Sequence, residues 1–388
     1  MSLEHALESL SKNVLFSMSL GSKELFHSNF LGWLFETYPD QSRVLLQPFL
    51  EEGHGETHKV TREEGNVDLR VTYPKCKAVF IENKVKSMPD LMQLASYEER
   101  HGGNKDIVFL LLSLAPKPWS GSTYGRWQYL GYDALALSLP EVVSNMEKSD
   151  KCSFDIEVVR RYTKLIQDVL VVAEEAKLGQ DSDDFFKDEL RKELGRIYDL
   201  FYKLRASYLV NQIQEETRKL LLSVGLNPDQ CFFSPYQKKG ADKPDLKSVQ
   251  SDFPQFYIES GFSHMHSVVT VYCKLPHQAD VLGLQLQGGN LRLCILTPDG
   301  LNRKEREERA RVIQDENIWF DFEPVHEILD KRDFTVRPED RTKWGCFAPD
   351  FVYRSTDIIG STSPTLPIGT VRSLILTYIK KMLDARTI

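Results

Sequence analysis

The run Ile107-Val-Phe-Leu-Leu-Leu112 constrains the fold of this chain most. A strand with no polar alternation has to be covered on both faces, which calls for helices packed on two sides of a sheet. The flanking segments supply those layers. Residues 1–20 read as a short amphipathic helix. Ser22 caps a second helix, Lys23–Tyr38, in which Leu25, Phe26, Phe30, Leu31, Trp33, Leu34 and Phe35 leave almost no polar face. Such a helix is buried on more than one side. After a loop at Glu51–Glu56 come three strand candidates, Thr57–Arg62, Asn66–Thr72 and Ala78–Val85, the last two separated by a turn containing Pro74. A helix at Asp90–His101 leads into the apolar strand. Beyond the loop Lys117–Gly125 lie a strand at Trp127–Leu130 and helices at Ala134–Met146 and Asp155–Lys177.

Gly179–Asp184 is polar, contains glycine and reads as a linker, so domains are expected at 1–180 and 181–388. Phe185–Val224 reads as two helices or one long helical arm. Phe256–Glu259, Ser267–Lys274, Val281–Gln287 and Leu291–Thr297 read as a strand meander, with helices at Asn302–Gln314 and Val371–Ala385. The expected class is α/β with a C-terminal α+β region. No repeat at a fixed period is visible.

No apolar run approaches the ~18 residues of a membrane span, and the N-terminus has no basic region followed by an apolar core. Six scattered Cys without paired spacing read as free thiols. A cytoplasmic protein without membrane association is expected. The net charge of -7 argues against a protein that coats nucleic acid through a basic surface.

The chemistry concentrates between Asn66 and Tyr97. Alternation places Asn66, Asp68, Arg70 and Thr72 on one strand face, and Ala78, Phe80, Glu82 and Lys84 on one face of the next strand. A hairpin turning about Lys75 sets Asp68 opposite Glu82. Like charges directly opposed destabilise a sheet, so the pair calls for solvent or a cation. Mg²⁺ is the natural cation, since it takes one or two carboxylates and completes its shell with water and phosphate. Asp68 and Glu82, joined by the Asn83 carbonyl, would then hold Mg²⁺ (or Mn²⁺), and Lys84 would position water or stabilise developing charge in phosphodiester hydrolysis. The bland alternative is a solvated hairpin face; Glu175-Ala-Lys177 repeats the Glu-x-Lys triplet with no such context.

Asp68 followed by Glu82-Asn83-Lys84 at the end of a hydrophobic strand resembles the PD-(D/E)xK nuclease superfamily. The order helix, three strands, helix, strand is similar to its restriction-endonuclease-like αβββαβ core. Glu24-Leu-Phe-His27-Ser28-Asn-Phe30-Leu31-Gly-Trp-Leu34 resembles the opening helix of a bacterial subfamily, and Gln93-Leu-Ala-Ser-Tyr97 the Gln-x-x-x-Tyr motif of RecB-like nucleases. The likeness spans about residues 20–135, with Val67 in place of the motif's proline, which the superfamily often lacks. It implies a metal-dependent nuclease acting on nucleic acid, DNA foremost. It also implies Glu24 as an outer metal ligand and Gln93 and Tyr97 as supporting catalytic residues. Four residues apart, Gln93 and Tyr97 share a helix face and can reach one phosphate or base. The alternative from another class is a catalytically silent binding or scaffold module of the same fold, with a protein partner for the C-terminal half.

Other features carry less. His27 reads as a satisfied core histidine. His264 and His266 with Cys273 or Asp280 would make a zinc site, but the spacing is not that of a known zinc motif. Arg303–Arg311 alternates charge like a solvated helix. The charge divides as 20 Lys and Arg against 25 Asp and Glu over residues 1–180, and 29 against 31 beyond. A metal site needs carboxylates, so an acidic half does not exclude a nucleic-acid substrate.

Overall fold

The computed structural model describes residues 1–19, 23–50, 59–63, 67–72, 78–85, 88–89, 91–101, 103, 105–119, 121–186, 190–228, 231–233, 253–276, 280–297, 301–315, 319–329, 344–347, 351–359 and 365–386. The cap at Ser22, the loop Glu51–Glu56, Asn66, the turn at Pro74 and Lys75, and the start of the helix at Asp90 lie outside them. Two compact units emerge, Met1–Glu175 and Ala176–Ile388.

The N-terminal unit opens with α1 (Leu3–Lys12) and α2 (Val14–Ser19) rather than one helix. Asn13 makes the break: its side-chain oxygen accepts the Leu15 N–H at 3.0 Å, and its amide donates to the Arg161 carbonyl. A side chain that bonds its own backbone ends one helix and caps the next. Next come α3 (Lys23–Thr37), α4 (Pro39–Ser42) and the strands β1 (Lys59–Arg62), β2 (Leu69–Thr72) and β3 (Ala78–Lys84). They are followed by α5 (Leu91–His101), β4 (Ile107–Ser113), β5 (Trp127–Gly131), α6 (Tyr132–Lys148) and α7 (Ser153–Glu175).

The five strands form one sheet in sequence order. The first three are antiparallel, and β3, β4 and β5 run parallel. All seven residues of β3 are buried. Ala78, Phe80, Phe109, Leu111 and Trp127 pack against Leu94 and Tyr97 of α5 on one face. The α3 helix packs on β1, β2 and β3. This mixed α/β architecture is the expected class.

The C-terminal unit contains α8 (Arg191–Leu194), α9 (Tyr198–Ser223), β6 (Phe232–Phe233), β7 (Phe256–Ser263), β8 (His266–Lys274), β9 (Val281–Gln287) and β10 (Asn290–Leu296). It closes with α10 (Arg303–Asp315), α11 (Glu323–Leu329), β11 (Gly345–Phe347), β12 (Phe351–Asp357) and α12 (Ile368–Ala385). Seven strands pair in the order β11-β12-β10-β9-β8-β7-β6, with only β6 and β7 parallel among the described pairs.

Two expectations change here. Phe185–Val224 is no arm: Leu209, Val210, Ile213 and Leu221 of α9 are buried in one core with Val269, Leu284 and Leu374. Gly179–Asp184 is no free linker either. Asp183 Oδ2 accepts the N–H groups of Gly179 and Gln180, while Gly369 N–H and Ile368 N–H donate to the carbonyls of Asp181 and Asp183. Polar composition there reflects side chains turned onto backbone groups, as Asp often does in turns.

No helix among the described residues is long and apolar enough to cross a membrane. The five described cysteines are free thiols.

Candidate active site

The hairpin register is the expected one. Leu69 pairs with Ile81, Arg70 with Phe80 and Val71 with Val79, which sets Asp68 against Glu82. Asp68 itself precedes β2, on a bend, so the strand is shorter than Asn66–Thr72 suggests. Its carboxylate takes the place of a ladder carbonyl: Oδ2 accepts the Asn83 N–H at 2.7 Å. Val67 joins the Phe80 side of the sheet instead of continuing the alternation.

Glu82, Asn83 and Lys84 are 2%, 1% and 4% exposed, which for three polar residues in a row demands partners. Lys84 Nζ donates to Glu82 Oε1 at 2.7 Å. The other carboxylate oxygen, Glu82 Oε2, is buried and has no hydrogen-bond partner. Burial pushes the Glu82 carboxyl up to about 7; the Lys84 ammonium opposes this, and the charges of Asp68 and Glu24 add to it. Asp68 is raised as well, chiefly by burial, against the Asn83 N–H and Lys84. Burial works to lower Lys84, but the charge and hydrogen bond of Glu82, with Glu24 and Asp68, hold it above its ordinary value. The site is a low-dielectric pocket in which carboxylates outnumber the one ammonium.

Glu24, near the start of α3, is half-buried and within electrostatic reach of Asp68, Glu82 and Lys84. From α5, Gln93 Nε2 donates to Tyr97 Oη at 2.5 Å. Burial raises the Tyr97 hydroxyl, and the Glu82 charge raises it further. Gln93 and Tyr97 thus form a bonded pair on one helix face, and Tyr97 feels all three central residues. Among the described residues no group of three His, Cys, Asp or Glu side chains could hold a metal ion. The donor set is therefore smaller than Asp68, Glu82 and Glu24 acting as one cluster.

Asn83 has a role the sequence did not reveal. Its side chain lies toward α3, where Nδ2 donates to Ser28 Oγ at 3.1 Å and to the Glu24 carbonyl at 3.3 Å. Its Oδ1 accepts from Tyr132 Oη at 2.7 Å. Tyr132 bonds Tyr162, and Tyr162 Oη lies 3.0 Å from His27 Nδ1. This chain ties β3 to α3, α6 and α7, and it fixes the Glu24 backbone beside the carboxylates. His27 is a satisfied core histidine. Only the pairing of His27-Ser28 with Glu24 on one helix hinted at the network; Tyr132 and Tyr162 lie too far away in sequence. Asn83→Ala should lower the unfolding free energy of the N-terminal unit by about 3 kcal/mol, since two buried partners and one half-buried carbonyl lose their bonds. Urea unfolding followed by tryptophan fluorescence measures this, and a loss below about 1 kcal/mol would remove the network's structural role.

A family model described as the PD-(D/E)XK nuclease superfamily matches residues 12–156. Over this segment, less than half of the chain, the sequence is similar to that superfamily. The PD-(D/E)XK assignment agrees with the mixed sheet, in which a helix precedes an antiparallel three-stranded meander and a parallel β3–α5–β4 crossover. It implies the restriction-endonuclease-like fold and suggests nuclease chemistry, which in this superfamily generally uses divalent metals. No curated protein and no solved structure matches the chain.

The zinc alternative fails on geometry. Cys273 belongs to the helix-covered core of the C-terminal sheet, whereas His266 starts the alternation that runs along the opposite face through Tyr272. Asp280 is paired with Arg309 at 2.6 Å.

Proposed function

We propose that the chain is a metal-dependent nuclease that hydrolyses phosphodiester bonds of nucleic acid, DNA foremost, with Mg²⁺ or Mn²⁺ held by Asp68 and Glu82. The unpartnered buried oxygen of Glu82, beside a second carboxylate on the neighbouring strand, carries this reading. Such an oxygen is costly without a cation, and two carboxylates suffice for an ion that takes the rest of its shell from water and phosphate. Bound there, the ion would lower the pKa of the attacking water and offset charge at phosphorus.

The protein's own groups complete the arrangement. The Asn83 N–H fixes one Asp68 oxygen and so orients that carboxylate. Lys84 stays protonated at neutral pH, which suits it to stabilise negative charge on the phosphate oxygens rather than to act as a base. Tyr97 stays a phenol, and with Gln93 it offers hydrogen bonds to a phosphate or base. Glu24 adds negative charge at the edge of the site. Asn83 contributes to this assembly through its amide N–H and side chain; its carbonyl remains a candidate metal donor.

Incubating the full chain with single- and double-stranded DNA and with RNA, in EDTA, Mg²⁺ or Mn²⁺, tests the proposal. Cleavage of DNA that needs the divalent ion is expected. Binding without cleavage under either ion would favour the silent binding module.

A further inference from the structure

The two faces of the C-terminal sheet differ in kind. One is the apolar core under α9 and α12. The other carries a cavity of about 470 Å³ whose lining includes Arg292, Gln285, Gln287, His266, Phe351 and Tyr353. The register puts Gln285 directly across from Arg292, and Ser355 on its other side.

Arg292 is the decisive residue. Its Nη1 donates to the side-chain oxygens of Gln285 and Gln287, the latter at 2.6 Å, and its guanidinium stands 5.4 Å from the centre of the Tyr353 ring. Its Nε is buried and has no partner. No carboxylate among the described residues pairs with it, and none lines the cavity among them. The nearest acid by register is Asp357, exposed beside Asn290, with Oδ1 accepting the Ile359 N–H. Glu259 accepts from Tyr257. A partly buried cation held by amide oxygens and an aromatic face, with no carboxylate, favours an anion, and guanidinium suits phosphate. The rim adds strain: His264 and Met265, which turn β7 into β8, sit at φ of 48° and 68° without glycine. Such turns cost energy and tend to be kept at ligand clamps.

A bare phosphate leaves most of this volume empty, and the aromatic wall of Phe351 and Tyr353 offers it nothing. We propose that the cavity binds a phosphorylated nucleotide, either free or as the phosphorylated end of a strand. Arg292 takes the phosphate and the aromatic wall takes the base, as stacking platforms do. The site lies within the C-terminal unit and does not depend on the nuclease reading.

Calorimetric titration of the full chain in EDTA tests this with four probes: adenosine monophosphate, inorganic phosphate, a 5′-phosphorylated oligothymidylate and its 5′-hydroxyl counterpart. Gln287→Glu puts a carboxylate against Arg292 without changing side-chain size, and Arg292→Gln removes the cation. Both should weaken binding about tenfold or more. Tight adenosine monophosphate identifies a free nucleotide; preference for the phosphorylated oligonucleotide alone identifies a strand end. The proposal is overturned by no binding at millimolar probe, by phosphate binding as tightly as the nucleotide, or by affinity unchanged in Gln287→Glu. Should Arg292→Gln not fold, Gln287→Glu alone decides, because it keeps the guanidinium and its neighbours.

Discussion

Glu82→Gln should reduce Mg²⁺-supported phosphodiester hydrolysis by about a thousandfold or more while nucleic-acid binding persists. The substitution exchanges a metal-binding carboxylate for a neutral amide of the same shape. The retained side-chain oxygen can still accept from Lys84 Nζ, now bonded to Oε1 at 2.7 Å, so the fold survives. Glu82→Ala should abolish hydrolysis too, but it strands a buried ammonium, at a cost of about 3–5 kcal/mol. Comparing the two separates chemistry from folding: Gln should be inactive and native-like, Ala inactive and less stable. Cleavage assays, fluorescence anisotropy with labelled DNA and thermal unfolding supply the three readouts. Wild-type hydrolysis in Glu82→Gln would remove Glu82 from the site. Wild-type protein that binds yet never cleaves would leave the fold as a scaffold.

The parts of this site that were legible in the sequence are those fixed by local period. Alternation over 69–72 and 78–84, with a turn between, is enough to set Asp68 against Glu82, because a slip of one residue would send Val79 and Ile81 to the wrong face. The apolar run at Ile107–Leu112 likewise marks a strand covered on both faces, and every residue of β4 except the half-buried Val108 is buried. What stayed hidden depends on distant partners. At Glu82-Asn83-Lys84 a solvated face stood as the alternative to a metal site; all three are buried, and Asn83 bonds Ser28 and Tyr132 across intervals of 55 and 49 residues. Phe185–Val224 left two helices or one long arm open; only the sheet beneath α9 shows which side of that helix is core. Asp68 looked like a strand residue because alternation cannot reveal a carboxylate standing in for a ladder carbonyl.

Acid should destabilise the N-terminal unit through His27, and His27→Gln should remove that part of the loss. The imidazole is buried, and burial holds its pKa at about 3 against an ordinary value of 6.5. The folded state therefore keeps His27 neutral where the unfolded chain protonates it. Its contribution is fully present above pH 6.5 and fades as pH falls toward 3, at about 1.4 kcal/mol per pH unit. Glu82 has the opposite sign. Its pKa of about 7 lies above its ordinary 4.5, so its contribution is fully present below pH 4.5 and is lost as pH rises through 7. Between 4.5 and 6.5 the two slopes oppose each other, and wild-type stability should change little from this pair. Below 4.5 the histidine acts without that counterweight, and stability should fall steeply. The stability difference between wild type and His27→Gln isolates the imidazole, since Glu82 titrates alike in both. Urea unfolding at successive pH values from 6.5 down to about 4 should show this difference shrinking by about 1.4 kcal/mol per pH unit. A difference constant with pH would mean that His27 protonates as readily in the fold as in water, and the bond to Tyr162 would then be open to solvent.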